Sequence, residues 1–277
     1  MLLLGLAACD ASDIPSQPSE PPAPPMQAPE AAAIIIGTNT WAARPDMSVR
    51  RFGLATAAVG SVLYAIGGMS EYGYPYSLVE AYETKAGALG AWVPRTVLPN
   101  MLAHFNGAAV INGKIYVPGG RDAMGTPAAS LFVYTPGTNS WSSKKPMPKP
   151  GFGGGAVAIA GKLYVVTNPG DGTRSVLFRY TPATDQWAVL AQPYKNLKGA
   201  VLGVINGKLY AAGGASQVGS VTGRTDAYDP STNTWTRRKD MPVPRTQAGA
   251  AVANGLLYVI GGLSSAGIHR TTSMYIP

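Results

Sequence analysis

The sequence predicts an all-β protein, a β-propeller of five four-stranded blades, and three observations support this prediction. A strand-like string centred on a tyrosine recurs at Tyr64, Tyr116, Tyr164, Tyr210 and Tyr258. The steps between them are 52, 48, 46 and 48 residues, and a period near 50 residues with strand content is typical of propeller blades. Tryptophans keep a similar spacing, at Trp41, Trp92, Trp141, Trp187 and Trp235. The 34 glycines, 24 prolines and 13% charged residues fit many short strands joined by tight turns.

The first nine residues read as a signal peptide. The apolar run of "MLLLGLAACD" ends at Cys9 and resembles a bacterial lipobox, whose cysteine becomes lipidated. The run is far shorter than the roughly 20 apolar residues of a membrane-spanning helix. No lysine or arginine precedes Leu2, so an ordinary or truncated signal peptide is the alternative. We therefore expect a lipid-anchored protein of the bacterial cell envelope, periplasmic or outward-facing.

Residues 10–33 form the expected tether between this anchor and the folded part. The stretch "DASDIPSQPSEPPAPPMQAPE" at 10–30 is rich in proline, serine and acidic residues. Such a composition has too little apolar surface to fold and favours an extended, disordered chain. The folded part is then expected to begin near residue 34 and to run to residue 277.

Each repeat unit predicts the same order of four strands. A small apolar run such as "GAAVI" at 107–111 suits an innermost strand, and the "NG" that follows it is a strong hairpin signal. The tyrosine strand comes next and ends at a double glycine, and a variable loop leads to the third strand. A "P-x-T-N" turn and a strand with the tryptophan complete the unit, as in "YDPSTNTW" at 228–235.

The two ends of the chain carry the two halves of one such unit. "YIP" at 275–277 matches the front half of "YDPSTNTW", and "GTNTW" at 37–41 matches its back half. We therefore expect the last blade to take its outer strand from the N-terminus. Such sharing would satisfy the backbone groups at the junction of the first and last elements.

The double glycine, the tyrosine and the tryptophan, in this fixed order, resemble the Kelch repeat over about residues 34–277. Repeat three departs from the pattern with Thr167-Asn168 in place of the double glycine, and repeat one has a longer third turn, "YETKAGALGAW". The resemblance implies a Kelch-type propeller. Rings of six or seven blades are more usual in that family, so five is a specific prediction.

The strand order predicts where a binding site would lie. The loops after the double glycines and the segments that lead into the inner strands should share one face, at the mouth of the central channel. Basic and aromatic side chains there suit an anionic ligand, because arginine binds carboxylates in pairs of hydrogen bonds and tyrosine offers a flat face. The candidate ligand-binding residues are Arg51, Tyr72, Tyr74, Tyr76, His104, Arg121, Arg174, Lys198, Arg245 and Arg270. For Arg51 and Arg245, an ordinary Kelch role in holding neighbouring loops is the alternative.

Charge and composition narrow the classes of function. The formal net charge is +8, and because four of the acidic residues precede Arg44, the part from Arg44 onward carries +12. Such a surface should attract anionic partners, so we expect a monomeric, non-catalytic domain that binds a protein or an acidic glycan. Two histidines and one cysteine offer no metal-site spacing. No cofactor motif or nucleic-acid module is readable, and basic charge alone is weak evidence for nucleic acid.

An enzyme is the alternative. Sialate mutarotases are bacterial periplasmic Kelch propellers, and a carbohydrate isomerase of that kind would need an acid and a base at the channel mouth. Glu71 or Asp122 near His104 or Lys198 would indicate such a pair. A mouth lined by basic and aromatic groups would indicate binding.

Overall fold

The computed structural model describes residues 45–84, 90–215, 220–253, 255–268 and 272–277. The predicted signal peptide with Cys9, the tether at 10–33 and the outer strand at 37–41 lie outside the described residues. So do Arg270 and the middle of the blade-four loop, 216–219.

The described strands form a five-bladed β-propeller, as the sequence predicts. Blade 1 contains β1 (Ala55–Val59), β2 (Val62–Ile66), β3 (Val79–Glu83) and β4 (Trp92–Pro94). Blade 2 contains β5 (Ala109–Ile111), β6 (Lys114–Pro118), β7 (Leu131–Thr135) and β8 (Ser140–Lys144). Blade 3 contains β9 (Phe152–Ile159), β10 (Lys162–Asn168), β11 (Val176–Thr181) and β12 (Gln186–Val189).

The last two blades complete the propeller. Blade 4 contains β13 (Val201–Ile205), β14 (Lys208–Ala212), β15 (Thr225–Asp229) and β16 (Thr234–Arg238). Blade 5 contains β17 (Gly249–Ala253), β18 (Leu256–Ile260) and β21 (Thr272–Tyr275). Between β18 and β21 its loop forms a small hairpin, β19 (Leu263–Ser264) with β20 (Gly267–Ile268). The described part of blade 5 is thus three antiparallel strands, β17-β18-β21, and the other four blades each have four.

Tight turns set the register of each inner hairpin. Asn112 and Gly113 both have positive φ, 50° and 71°, and Asn206 and Gly207 repeat this at 50° and 72°. Two successive residues of positive φ make the turn whose twist matches that of antiparallel strands, and asparagine followed by glycine adopts it most easily. The tyrosine of the second strand consequently lies opposite an inner-strand residue, as in the pair Tyr116 and Ala109.

Blade 3 departs from the others where its sequence does. β10 continues through Thr167 to Asn168, and its pairing with β9 shifts register there. The Asn168 amide donates to the Phe152 carbonyl oxygen at 3.2 Å, and the Ser175 hydroxyl donates to the Asn168 side-chain oxygen. Polar side chains therefore hold this corner, which the double glycine forms in the other blades.

Tyrosines on adjacent blades pack against each other in the interblade cores. The Tyr64 ring centroid lies 5.6 Å from that of Tyr134, and the Tyr210 ring lies at the same distance from Tyr275. Tyr116 with Tyr180 and Tyr164 with Tyr228 repeat the contact at 6.2 and 6.3 Å. Each pair joins the second strand of one blade to the third strand of the next, so the recurring tyrosines stabilise the junctions between blades.

The four tryptophans in the described residues each donate a hydrogen bond to the segment four residues after the preceding tryptophan. The indole Nε1 atoms of Trp141, Trp187 and Trp235 donate to the carbonyl oxygens of Thr96, Lys145 and Ala191, at 2.9, 2.7 and 2.8 Å. Each acceptor follows the tryptophan of the preceding blade by four residues. In blade 1, Trp92 Nε1 donates to the Pro45 carbonyl oxygen at 3.0 Å, and Pro45 follows Trp41 by the same four residues. Pro45 therefore lies where the residue after a preceding outer strand is expected.

The junction between blades 5 and 1 is less tightly packed by the described residues than the others. Leu63 on β2 is 39% exposed, whereas the equivalent residues Ile115, Leu163, Leu209 and Leu257 are fully buried against the preceding blade. Ile260 on β18 is also exposed, although its blade-1 counterpart Ile66 is buried. This junction is the one to which the predicted N-terminal strand would be added.

Candidate ligand-binding channel

A cavity of about 920 Å³ lies on the propeller axis. All five blades line it, and each contributes a side chain from the start of its inner strand or from the segment before it: Phe52, His104, Phe152, Lys198 and Thr246. The sequence places these five side chains in one column, and the structure brings them together. Arg121, from the loop after the blade-2 double glycine, also lines the cavity. The channel is therefore a site where short segments from every blade converge.

A collar of backbone hydrogen bonds surrounds the channel. Its residues are Gly53, His104, Gly153, Gly199 and Gln247, with φ angles of 63°, 50°, 62°, 65° and 54°. The His104 amide donates to the Gly53 carbonyl oxygen at 2.8 Å, and the Gly153 amide donates to the His104 oxygen at 2.9 Å. The amides of Gly199 and Gln247 continue the chain of bonds, each to the preceding member at 2.8 Å. The collar links successive blades and holds the side chains around it on a fixed backbone.

The structure aligns His104 of blade 2 differently from the sequence column, which places it with Phe52. Isolated β-bridges pair Phe52 with Met69 in blade 1 and Ala103 with Arg121 in blade 2. Met69 and Arg121 each follow a double glycine, so Ala103, and not His104, is equivalent to Phe52. His104 is instead equivalent to Gly53, because blade 2 has one more residue between this position and its tyrosine. The glycines eleven residues before Tyr64, Tyr164 and Tyr210 are the sequence signal that could have identified the collar, and with it Gln247.

Two cations approach the ring of Phe152. The Arg121 guanidinium carbon lies 5.4 Å from the ring centroid, and the Lys198 Nζ atom lies 5.8 Å from it. Arg121 is fixed through its backbone, which exchanges hydrogen bonds of 2.8 and 3.0 Å with Ala103. Its Nε atom is buried and has no hydrogen-bond partner among the described residues. Lysine and arginine beside an aromatic face form a positively charged wall with a flat apolar surface.

His104 adds a titratable group to this wall. Its ring meets the Phe52 ring edge-on, with 5.6 Å between the centroids. Burial lowers the pKa of His104 below its ordinary value, and the positive charges of Arg121 and Lys198 lower it further. The imidazole is therefore neutral at neutral pH. Its Nε2 atom is buried, and no described residue hydrogen-bonds to it.

Carboxylates are missing from the described part of the cavity wall. Asp122, which could have supplied one, instead accepts hydrogen bonds from the amides of Met124 and Thr126 in its own loop, both at 2.9 Å. Glu71 is exposed on the blade-1 loop. The acid–base pair that would indicate an isomerase is thus not assembled by these residues.

Arg51 and Arg245 do not line the channel, in contrast to the prediction from sequence. The buried Arg51 guanidinium donates to the carbonyl oxygens of Gly67 and Leu78, at 3.1 and 2.9 Å, and forms an ion pair of 2.7 Å with Glu80. Arg245 is buried in the same way in blade 5 and donates to the Gly261 carbonyl oxygen at 3.0 Å. Both side chains turn along their own blade, where carbonyl oxygens of the double-glycine corner accept their hydrogen bonds.

The remaining candidates lie around the channel or beyond it. Tyr72 and Tyr74 are 79% and 68% exposed on the blade-1 loop, and Tyr76 is half-buried, but the cavity wall does not include them. Arg174 is exposed on the blade-3 loop. These residues belong to the loop face outside the channel, where a large ligand could contact them.

Neither a membrane-spanning helix nor a cluster of metal ligands is found in the described residues. No helix in the described ranges is long and apolar enough to cross a membrane. Within the same ranges, no three histidine, cysteine, aspartate or glutamate side chains cluster as metal ligands would.

Comparison with known proteins identifies the repeat. A family model described as "Kelch motif" matches residues 103–148, 197–242 and 244–277. Beta-scruin of Limulus polyphemus is 30% identical over 188 residues, covering 67% of this chain and 16% of its own length. Kelch-like protein 34 of Homo sapiens is 30% identical over 229 residues, covering 81% of this chain and 28% of its own. The chain thus spans less than a third of the length of either relative.

Among solved structures, one titled "Structure of YjhT" has the same fold. It superposes with a TM-score of 0.67 at 20% sequence identity, over 80% of this chain and 75% of the other.

Proposed function

Because this chain is a Kelch-repeat β-propeller, we propose that it is a non-catalytic binding domain that takes an anionic ligand into the mouth of its central channel. The observation that carries the proposal is the pair of cations beside Phe152, Arg121 and Lys198, in a described wall that has no carboxylate. An anion there would offset the repulsion between the two positive charges and would gain hydrogen bonds from both. The ligand's shared chemistry is a set of closely spaced carboxylates, on an acidic glycan or on an acidic protein segment.

The exposed loops suit a ligand larger than the channel. Tyr72 and Tyr74 stand in solvent on the same loop face, and Met124 on the neighbouring loop is also exposed. Exposed aromatic and methionine side chains are common in recognition surfaces. An extended ligand would therefore place one anionic group in the channel and contact the loops with the rest of its length.

The binding test uses two probes, trigalacturonate for an acidic glycan and tetraglutamate for an acidic peptide. Titration calorimetry should detect binding of at least one, weakening as salt rises because exposed charges are screened over about 8–10 Å. Arg121→Ala and Lys198→Ala should each weaken binding by about 1.5–3 kcal/mol, which is roughly ten- to a hundredfold.

The matched controls are Lys144→Ala and Lys239→Ala, which remove exposed positive charges far from the channel. They should change the affinity little. Failure of both probes to bind, or loss of binding in the controls alone, would contradict the proposal.

We also propose that the domain is held at a bacterial membrane by a lipid on Cys9, with residues 10–33 as the tether. The support is the lipobox-like run that ends at Cys9. The wild type should sediment with membranes and label with a radioactive fatty acid, and Cys9→Ser should do neither. Equal labelling of the two proteins would rule the anchor out.

A further inference from the structure

The collar contains two residues that its geometry disfavours, His104 and Gln247. Their φ angles are 50° and 54°, in the left-handed region, where glycine costs least. Three of the five collar positions are glycine, namely Gly53, Gly153 and Gly199. A histidine held in this conformation carries a cost that the fold itself does not require, and such positions concentrate at functional sites.

The groups around the imidazole suit an anionic ligand. The His104 backbone is held on both sides by the collar hydrogen bonds to Gly53 and Gly153, so the side chain has a fixed origin. The charged groups described near it are Arg121 and Lys198, and both are positive. His104 lines the cavity, and its buried Nε2 atom has no hydrogen-bond partner in the described part of the chain. A buried polar atom in this state costs free energy unless a ligand satisfies it.

We propose that His104 Nε2 is the donor that holds one carboxylate of the channel ligand, and that the ligand binds together with a proton. The proposal rests on the proposed function and deepens it by naming the anchoring group and the protonation step. The neutral imidazole takes one proton from solvent as the carboxylate arrives, and imidazolium and carboxylate then form an ion pair. Arg121 and Lys198 supply the remaining positive charge.

The ion pair between imidazolium and carboxylate sets how strongly the affinity for the ligand depends on pH. An opposite charge within about 4–6 Å raises a histidine pKa by roughly 1–3 units. Because one unit corresponds to a tenfold change in affinity between the two protonation states, binding should be tighter near pH 5.5 than near pH 7.5, by up to about tenfold for each unit by which the ligand raises the pKa of His104. An anion held by Arg121 and Lys198 alone would bind almost equally at both pH values, since their charges do not change in this range.

The test compares two collar variants, His104→Gly and Gln247→Gly. Glycine occupies the equivalent position in three blades, so both variants should fold. Titration of trigalacturonate and tetraglutamate in buffers with different ionisation enthalpies measures protons taken up per ligand bound. We expect uptake by the wild type and by Gln247→Gly, and no uptake with about a tenfold loss of affinity near pH 5.5 in His104→Gly.

A second measurement does not depend on either probe. The chain has two histidines, so the His104→Gly variant assigns the histidine NMR signals. Replacing chloride by concentrated acetate should raise the pKa of His104. An unchanged pKa of His104 would overturn the inference. Binding of a probe without proton uptake would also overturn it while leaving the proposed function intact, whereas failure of both probes to bind would defeat the proposed function itself.

Discussion

At the scale of single residues, the buried ion pair of Arg51 and Glu80 stabilises the first blade. Both side chains are fully buried, and the Glu80 carboxylate also accepts a hydrogen bond from the Ser48 amide at 3.1 Å. Burial lowers the pKa of Arg51, and the Glu80 charge opposes that shift. The pair thus joins the segment before β1 to the third strand. Removing either side chain would leave the charge of the other buried and unpaired, which would lower the stability of the fold.

Removing Arg51 should therefore cost stability rather than affinity. Arg51→Ala leaves a buried carboxylate without its cation, and we expect a loss of about 3–5 kcal/mol in the free energy of unfolding. The neighbouring Arg50 is exposed, and Arg50→Ala should cost less than about 0.5 kcal/mol. Urea unfolding measures both. A stable Arg51→Ala protein that no longer binds the anionic probes would return Arg51 to the binding site.

The pH dependence of stability provides a second test at this scale. The pKa of His104 is lower in the folded protein than its ordinary value near 6.5. The unfolded chain therefore binds a proton more readily, so stability is fully present above about pH 6.5 and declines as the pH falls toward the folded-state pKa. In His104→Gly this decline should be smaller between about pH 7 and pH 5, as thermal melting would show. An identical decline in the two proteins would mean that the imidazole is not shielded as described.

At the scale of elements, one turn joins each of blades 2, 3 and 4 to the blade before it. Asn139 accepts hydrogen bonds at its side-chain oxygen from the Tyr134 hydroxyl at 2.6 Å and from the Thr96 amide at 3.0 Å. Trp141 completes the link by donating to the Thr96 carbonyl oxygen. Blades 3 and 4 repeat this arrangement around Asp185 and Asn233. The "P-x-T-N" turn and the tryptophan are thus parts of one interblade contact.

The same contact is expected at the end of the chain. In the alignment of "YIP" plus "GTNTW" with blade 2, Asn39 and Trp41 match Asn139 and Trp141. Lys239 follows Trp235 by four residues, so its backbone carbonyl oxygen is the expected acceptor for the indole of Trp41. Trp41→Ala should then cost about 2–3 kcal/mol, the value of one large buried aromatic, and Trp187→Ala should cost a similar amount.

Two deletions extend this prediction. Removal of residues 31–43 should lower the melting temperature clearly, whereas removal of 10–30 should not. Equal melting temperatures for the two deletions, or a Trp41→Ala protein as stable as the wild type, would contradict the shared last blade.

At the scale of the whole molecule, more of the fold than of the candidate site could be predicted from the sequence. Period, hairpin turns and the order of strands depend on local signals, so five blades and their strand order follow from the sequence. The direction of the Arg51 side chain could not be predicted, because it depends on carbonyl oxygens that only the folded double-glycine corner brings within its reach. The place of His104 in the collar depends on one additional residue in blade 2, which only strand pairing reveals.

The location of a bound anion tests the account most directly. Amide hydrogen exchange, measured with and without saturating trigalacturonate or tetraglutamate, reports which backbone segments the ligand shields. We expect slower exchange at the segments around His104, Phe152 and Lys198, and in the loop that begins at Arg121. Protection confined to the outer strands β8 and β16, with the channel segments unchanged, would contradict it.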